Sequence, residues 1–333
     1  MSPGALPRAL GGAALVTLAC TAQPHREPEI LVTIPRGATF DAAVESLTAK
    51  GVVEYPALFR VYARLHGLPG DLKSGIYRFR ADESWGTVVG RLKSGRGVEI
   101  RFTVPEGLTL AEVADLAQAQ LGIPRDSLLA AASDPDRLRE LGIERQAGTL
   151  EGYLFPTTYL VPVGIRAREL VRVMTREFLD RWEPGWDDRV KALGWTRHEA
   201  VTLASIIQSE TRYAPDAPFV SAVYHNRLSR GMRLQADPTV VYALGRRVSR
   251  VYEKHLTVRS PYNTYLRAGL PPGPISQPGD QSLRAALFPA EVPFLYFVAQ
   301  PDGKHVFSVT YAEHLRAIRA IRRGTARGAP SRR

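Results

Sequence analysis

The chain has 333 residues, with 44 lysines and arginines against 33 aspartates and glutamates, a formal charge of +11 and 44% hydrophobic residues. This composition supplies enough apolar material for about two globular domains and excludes intrinsic disorder and a collagen-like repeat; with no apolar run of about 18 residues it also excludes a polytopic membrane protein. The single Cys20 excludes a disulfide framework and a thiolate-rich zinc site, while the basicity leaves nucleic acid, anionic lipid and acidic polymers open as partners.

Arg8 precedes an apolar run over residues 9–22, and a polar stretch follows at 23–28. The run is nearer a signal-peptide core than a spanning helix, which needs about 20 residues. Residues 1–27 are therefore expected to be an export signal or membrane anchor. Cys20 raises the option of a lipid anchor; a mis-assigned start codon is the bland alternative.

Next, Ile30-Leu31-Val32-Thr33-Ile34 reads as a strand, and Thr39 can cap a helix in which Phe40, Ala43, Val44 and Leu47 recur at helical spacing. The phrase Ile34-Pro35-Arg36-Gly37-Ala38-Thr39 has a counterpart in Val104-Pro105-Glu106-Gly107-Leu108-Thr109, again between a strand-like run and an amphipathic helix. Between them, residues 75–80 alternate like a strand and Ser84 caps a helix that Gly95 ends. Small β-α units thus repeat, either as scaffold alone or as a shallow groove for an extended ligand, as in LysM-type glycan binders. Residues 28–102 are assigned to this module, 103–322 to a second domain and 323–333 to a basic disordered tail.

Thr196 and Glu199 form a capping box, so a helix begins near Arg197. Leu203, Ile206 and Ile207 make one apolar stripe, and Glu210 falls on it while Gln208 projects to nearly the opposite side. A carboxyl buried in this way is raised in pKa and can serve as a general acid. The competing reading ends the helix near Thr211 and leaves Glu210 to solvent or an arginine. Beyond it, Asn226-Arg227-Leu228 closes a helix starting near Pro218. Segments dense in Pro, Gly, Asn and Tyr follow, around Gln235-Ala236-Asp237-Pro238-Thr239, Tyr262-Asn263-Thr264-Tyr265 and Gly269-Leu270-Pro271-Pro272, and these read as ordered loops suited to N-acetylated sugars.

These motifs, with Leu203-Ala204-Ser205-Ile206-Ile207-Gln208-Ser209-Glu210, Glu151-Gly152-Tyr153-Leu154-Phe155-Pro156-Thr157-Thr158-Tyr159 and Leu295-Tyr296-Phe297-Val298, resemble the endolytic murein transglycosylases of the MltG/YceG type over residues 30–321. The resemblance implies an α+β architecture: a LysM-like β-α module followed by a mixed α/β catalytic domain with a loop-rich site. It also implies anchoring in the bacterial inner membrane, a catalytic domain facing the periplasm, peptidoglycan glycan strands as substrate and cell-wall synthases as neighbours. The chain departs from the family at its N-terminus, where members carry a full transmembrane helix. Where some members read Glu-Lys-Glu, this chain has Gln208-Ser209-Glu210, leaving Glu210 as the single acidic candidate.

One glutamate suffices for a transglycosylase. It protonates the glycosidic oxygen, then takes the proton of the C6 hydroxyl as a 1,6-anhydro ring closes, whereas glycoside hydrolases usually need two carboxyl groups. Asp237 is the challenger for a second carboxylate, but its place before Pro238-Thr239 suits a turn, a cap or substrate orientation better than a nucleophile. Asn226, Arg227, Gln235, Thr239, Tyr262, Asn263 and Tyr265 complete the substrate-binding candidates, Arg227 doubling as a structural ion-pair partner. His305 could be structural or catalytic. No metal, cofactor or nucleic acid is expected, because the histidines lack ligand spacing, no glycine-rich phosphate loop is present, and Arg316, Arg319, Arg322, Arg323, Arg327, Arg332 and Arg333 carry seven of the excess charges in the tail. The rivals to the lyase are a non-catalytic peptidoglycan-binding scaffold and a two-carboxylate muramidase.

Overall fold

The computed structural model describes residues 29–143 and 148–328. The export or anchor segment expected at 1–27 and the last five residues of the tail lie outside them. Among the described residues no helix is long and apolar enough to cross a membrane. The chain forms two compact units that divide between Arg96 and Gly97.

In the first unit, β1 (Ile30–Ile34) is followed by α1 (Phe40–Ala49), α2 (Pro56–Leu65) and the short α3 (Leu68–Asp71), then by β2 (Gly75–Phe79) and α4 (Trp85–Ser94). Strands β1 and β2 pair antiparallel, Val32 opposite Tyr77. An isolated two-stranded ribbon is marginal in water. Here Val32, Ile34, Tyr77 and Phe79 are buried against Val44 and Leu47 of α1, Phe59 of α2 and Val88 and Leu92 of α4. The expected caps form, Thr39 accepting from the Ala42 N–H and Ser84 from the Thr87 N–H.

The second unit begins with β3 (Glu99–Thr103), so residues 97–102, assigned above to the first module, belong here. Then come α5 (Leu110–Leu121), α6 (Arg125–Ala131), α7 (Pro135–Glu140), β4 (Thr158–Pro162), α8 (Ala167–Arg181) and α9 (Trp186–Ala192). The chain continues with α10 (Arg197–Glu210), α11 (Ala217–Ser229), α12 (Asp237–Ala243), α13 (Glu253–Leu256), α14 (Asp280–Leu287), β5 (Tyr296–Ala299), β6 (His305–Ser308) and α15 (Tyr311–Gly328). Strand β3 pairs antiparallel with β4, and β5 with β6. The unit is thus α+β, with helices on two small ribbons. The repeated phrase recurs structurally, since Thr109 caps α5 as Thr39 caps α1, now in a full capping box with Glu112.

Helix α10 runs through the core of this unit, with Ala200, Val201, Leu203, Ala204, Ile206 and Ile207 buried, and it packs on α14, α11 and α12. Residues 323–328, expected in a disordered tail, continue α15. No proline interrupts that stretch, and half-buried Leu315 and Ile318 lie on a helix that packs on β5 and β6.

Candidate active site

Glu210 is the last residue of α10 and has a short run of hydroxyl and amide groups before it. Ser205 Oγ accepts the Ile275 N–H at 3.0 Å, and Ser276 Oγ donates to the Ser205 carbonyl at 3.1 Å. These bonds fasten residues 275–276 to the C-terminal half of α10. Gln208 is turned to α14, where its amide oxygen accepts from the Gly279 N–H (3.1 Å) and from Ser282 Oγ (2.8 Å). It therefore caps the neighbouring helix.

The Glu210 side chain is half-buried, and Tyr224 of α11, itself buried, donates to its Oε1 at 2.9 Å. Burial pushes the Glu210 carboxyl up to about 7. The Tyr224 hydrogen bond and the charge of Arg227 pull the other way, and the Asp237 carboxylate adds to the rise. Burial also holds the Tyr224 phenol well above its ordinary range, so it remains a proton donor across the working pH range. Asp237, the exposed first residue of α12, accepts from the Tyr265 hydroxyl at 2.6 Å. Burial raises that phenol as well, with the Asp237 hydrogen bond and charge adding to it. Four side chains from three helices and one loop thus share one field: Glu210, Tyr224, Asp237 and Tyr265.

Arg227 sits in the same field without forming the ion pair considered above. Its Nε donates to the Leu295 carbonyl (2.7 Å), one terminal nitrogen donates to the Leu234 carbonyl (2.7 Å), and the guanidinium lies 5.2 Å from the centre of the Tyr296 ring. The arginine pins β5 and the segment before α12 to α11, and its charge acts on Glu210 through space.

The remaining candidates divide by what their polar atoms touch. Asn226 Nδ2 donates to the Val292 and Phe294 carbonyls, and the fully buried Asn263 donates to the Leu256 and Val258 carbonyls while its Oδ1 accepts the Tyr265 N–H. Thr239, also fully buried, bonds the Ala236 carbonyl and Thr264 Oγ1. These three hold backbone in place. Tyr262 is half-buried with its ring 4.8 Å from that of Tyr242. Gln235 is exposed, and among the described residues it alone, glycines apart, has a positive φ (51°). That unusual backbone, two residues before Asp237, sets the chain direction into α12.

Three further groups belong to this neighbourhood and were not singled out from the sequence. Tyr224 lies three residues before Arg227, on the same helical face, and that spacing was the available signal. Tyr296 carries the cation contact. Glu151, read only as part of a motif, is a buried carboxyl bonded to Gln277 and Tyr242. His305 pairs with Asp216: its Nδ1 is 3.0 Å from Asp216 Oδ2, which also accepts the His305 N–H. The motif at residues 269–272 lies at the other end of α10, beside a hollow of about 510 Å³ shared with Trp195, Thr196 and His198. A 14-residue helix spans about 20 Å, so this hollow does not contain the acid. Among the described residues no group of three or more His, Cys, Asp or Glu could hold a metal ion.

A half-buried carboxyl at a helix end, bonded by a buried phenol and neighboured by the carboxylate that opens α12, defines a class of α+β protein whose site suits acid–base chemistry. Residues 32–320 match the model of the YceG-like family, and the chain belongs to that family. It is 30% identical to the endolytic murein transglycosylase of Bacillus subtilis (strain 168) over 300 residues, covering 86% of this chain and 83% of that protein. It is 27% identical to the endolytic murein transglycosylase of Streptococcus pneumoniae (strain D39), spanning 58% of that longer protein. The crystal structure of a YceG-like protein from Listeria monocytogenes superposes with a TM-score of 0.61 at 32% identity, covering 87% of this chain and 99% of that one.

Proposed function

We propose that this protein is an endolytic murein transglycosylase, a lyase that cleaves within peptidoglycan glycan strands and leaves 1,6-anhydro-N-acetylmuramic acid ends. The observation that carries the reading is Glu210, a carboxyl raised to about 7 by burial and bonded by the Tyr224 hydroxyl. The names of the relatives supply the substrate class.

In this reading the neutral Glu210 donates its proton to the oxygen linking N-acetylmuramic acid to N-acetylglucosamine, and the bond to C1 breaks. The carboxylate so formed keeps the Tyr224 hydrogen bond and feels the charge of Arg227, both of which favour the charged form. It then removes the C6 hydroxyl proton as that oxygen closes on C1, returning Glu210 to its starting state with no water consumed. Asp237, held by Tyr265, together with Gln235 and Tyr262, orients the sugar. Asn226, Arg227, Thr239 and Asn263 hold the loops that carry them.

The first unit is proposed to be a LysM-like glycan-binding module. Residues 9–22 are proposed to hold the protein at the inner membrane with the catalytic unit in the periplasm, beside synthases whose strands it terminates. The arginines of α15 suit attachment to an anionic surface.

The test is digestion of purified sacculi by the wild type and Glu210→Gln, followed by mass analysis of the muropeptides. Anhydro ends from the wild type and none from the variant are expected. Reducing ends would instead favour a two-carboxylate muramidase using Asp237, and full activity in the variant would remove Glu210 from the chemistry.

A further inference from the structure

We propose that the outward side of α2 is a membrane-contact surface: Leu58, Val61 and Leu65, with Tyr55 just before the helix, enter the interface of an anionic phospholipid bilayer and hold the first unit on it. The inference rests on the reading of residues 9–22 as a membrane anchor.

Helix α2 is apolar on two opposite sides. Phe59 and Ala63 face the core of the unit. Ala57, Leu58, Val61 and Leu65 share one stripe on the other side, and all four are exposed. Leu65 is 80% exposed, more than any other large apolar side chain among the described residues, and Leu58 and Val61 are 61% and 57% exposed. The two charges of the helix, Arg60 and Arg64, lie at the edge of the stripe and reach Asp41 of α1 at 3.0 and 3.8 Å. A lone exposed leucine is ordinary on a soluble surface, but a helix that is apolar on both sides calls for a cover on both.

The chain itself points to lipid as that cover. Only residues 23–28 separate the apolar run at 9–22 from the start of the first unit. Six extended residues reach about 20 Å, whereas a unit of this size has a radius of gyration of about 11 Å and is about 28 Å across. With the run in a bilayer the unit therefore lies on the bilayer surface, and the orientation that buries the α2 stripe is favoured. Residues 29–96 hold ten lysines and arginines against seven aspartates and glutamates, which suits anionic headgroups. The stems of Arg60 and Arg64 can lie along the apolar surface with their heads at phosphate level, and the ring of Tyr55 suits the same depth. A second copy of the chain fits less well, because a strip about 15 Å long and about 10 Å wide falls far short of the ~800 Å² per partner of a stable dimer. A glycan fits no better, since these four side chains carry no polar atom to bond a sugar hydroxyl.

The contact also answers a shortfall in the anchor. The apolar run has 14 residues where a spanning helix needs about 20. One shallow anchor binds a membrane reversibly, and stable attachment takes two signals. The α2 stripe supplies the second, and the short connection places it at high effective concentration once the first is bound, so the two affinities reinforce each other.

The test uses the full chain with vesicles of phosphatidylethanolamine and phosphatidylglycerol. In a Cys20→Ser background, a fluorophore is attached at Val61→Cys, at Leu65→Cys and, as a control, at Glu45→Cys on the exposed side of α1. On vesicles the labels at 61 and 65 should be quenched by nitroxide-bearing lipid and shielded from iodide about fivefold or more relative to the control. The combined variant Leu58→Gln, Val61→Gln, Leu65→Gln should bind vesicles about tenfold or more weakly while digesting soluble glycan strands within about twofold of wild type. Labels at 61 and 65 that stay open to iodide on bound vesicles, or a combined variant that binds as tightly as wild type, overturn the contact and leave the anchor standing. Shielding that is already complete without vesicles indicates a second copy and also overturns it. A wild type that stays in solution removes the anchor assigned to residues 9–22, and the α2 contact with it.

Discussion

Tyr224 donates to Glu210 Oε1 over 2.9 Å from a phenol that is 1% exposed, so the acid at the end of α10 has a permanent donor on one oxygen. The bond favours the carboxylate, yet burial outweighs it and the group stays near neutrality.

Replacing Tyr224 by Phe keeps the ring and removes only the hydroxyl. The Glu210 carboxylate then loses its donor, the pKa rises further, and the base step suffers most. A kcat reduced about 10- to 100-fold is expected, with the alkaline limb of the rate profile moved to higher pH. A pH–rate series on glycan strands reads both effects.

In the proposed reaction the starting state requires protonated Glu210. Thus kcat/KM should be level in weakly acidic solution and fall about tenfold per pH unit above pH 7. Stability follows the same sign, because the folded carboxyl binds its proton more tightly than the unfolded one. It falls as pH rises from 4.5 to about 7, by at most about 3 kcal/mol and by less to the extent that the half-buried group meets water. Urea unfolding of the wild type and Glu210→Gln at pH 5 and pH 8 measures the difference, and a wild-type curve as flat as the variant's contradicts it.

Asp237 raises Glu210 through like charge. Asp237→Asn should therefore move the alkaline limb to lower pH, opposite to Tyr224→Phe. Tyr265→Phe, which removes the 2.6 Å anchor, should raise KM more than it lowers kcat if Asp237 orients the sugar. Steady-state kinetics at several pH values separates the two.

Gly152 and Gly164 both have positive φ, but only at Gly152 would a Cβ collide with a neighbour, Pro274, while nothing lies within 4 Å at Gly164. Gly164→Ala should cost about 1 kcal/mol and Gly152→Ala about 3 kcal/mol or more. Denaturation midpoints of the two variants test the contrast, and equal losses would mean the backbone conformation alone sets the cost.

Much of the scaffold was legible because its signals are local. Thr39, Ser84, Thr109 and Thr196 announce helix starts through bonds to residues three places on, and these helices form where the caps stand. Residues 97–102 went to the wrong side of the boundary because β3 finds its partner β4 55 to 63 residues later, which no local pattern records. The tail was read as disordered from its charge, although the apolar side of α15 meets β5 and β6.

By itself the sequence determined where α10 starts and that Glu210 lies on its apolar stripe, since periodicity and capping act within a few residues. It also carried the family's motifs in order. Only the tertiary structure decided which polar groups remain for a substrate. Asn226, Thr239 and Asn263 are occupied with backbone, Arg227 with three backbone carbonyls, and Tyr224 with Glu210. The Gln277 contact to Glu151 joins residues 126 positions apart. A buried donor must find an acceptor somewhere, and which one it finds depends on segments distant in the chain packing together.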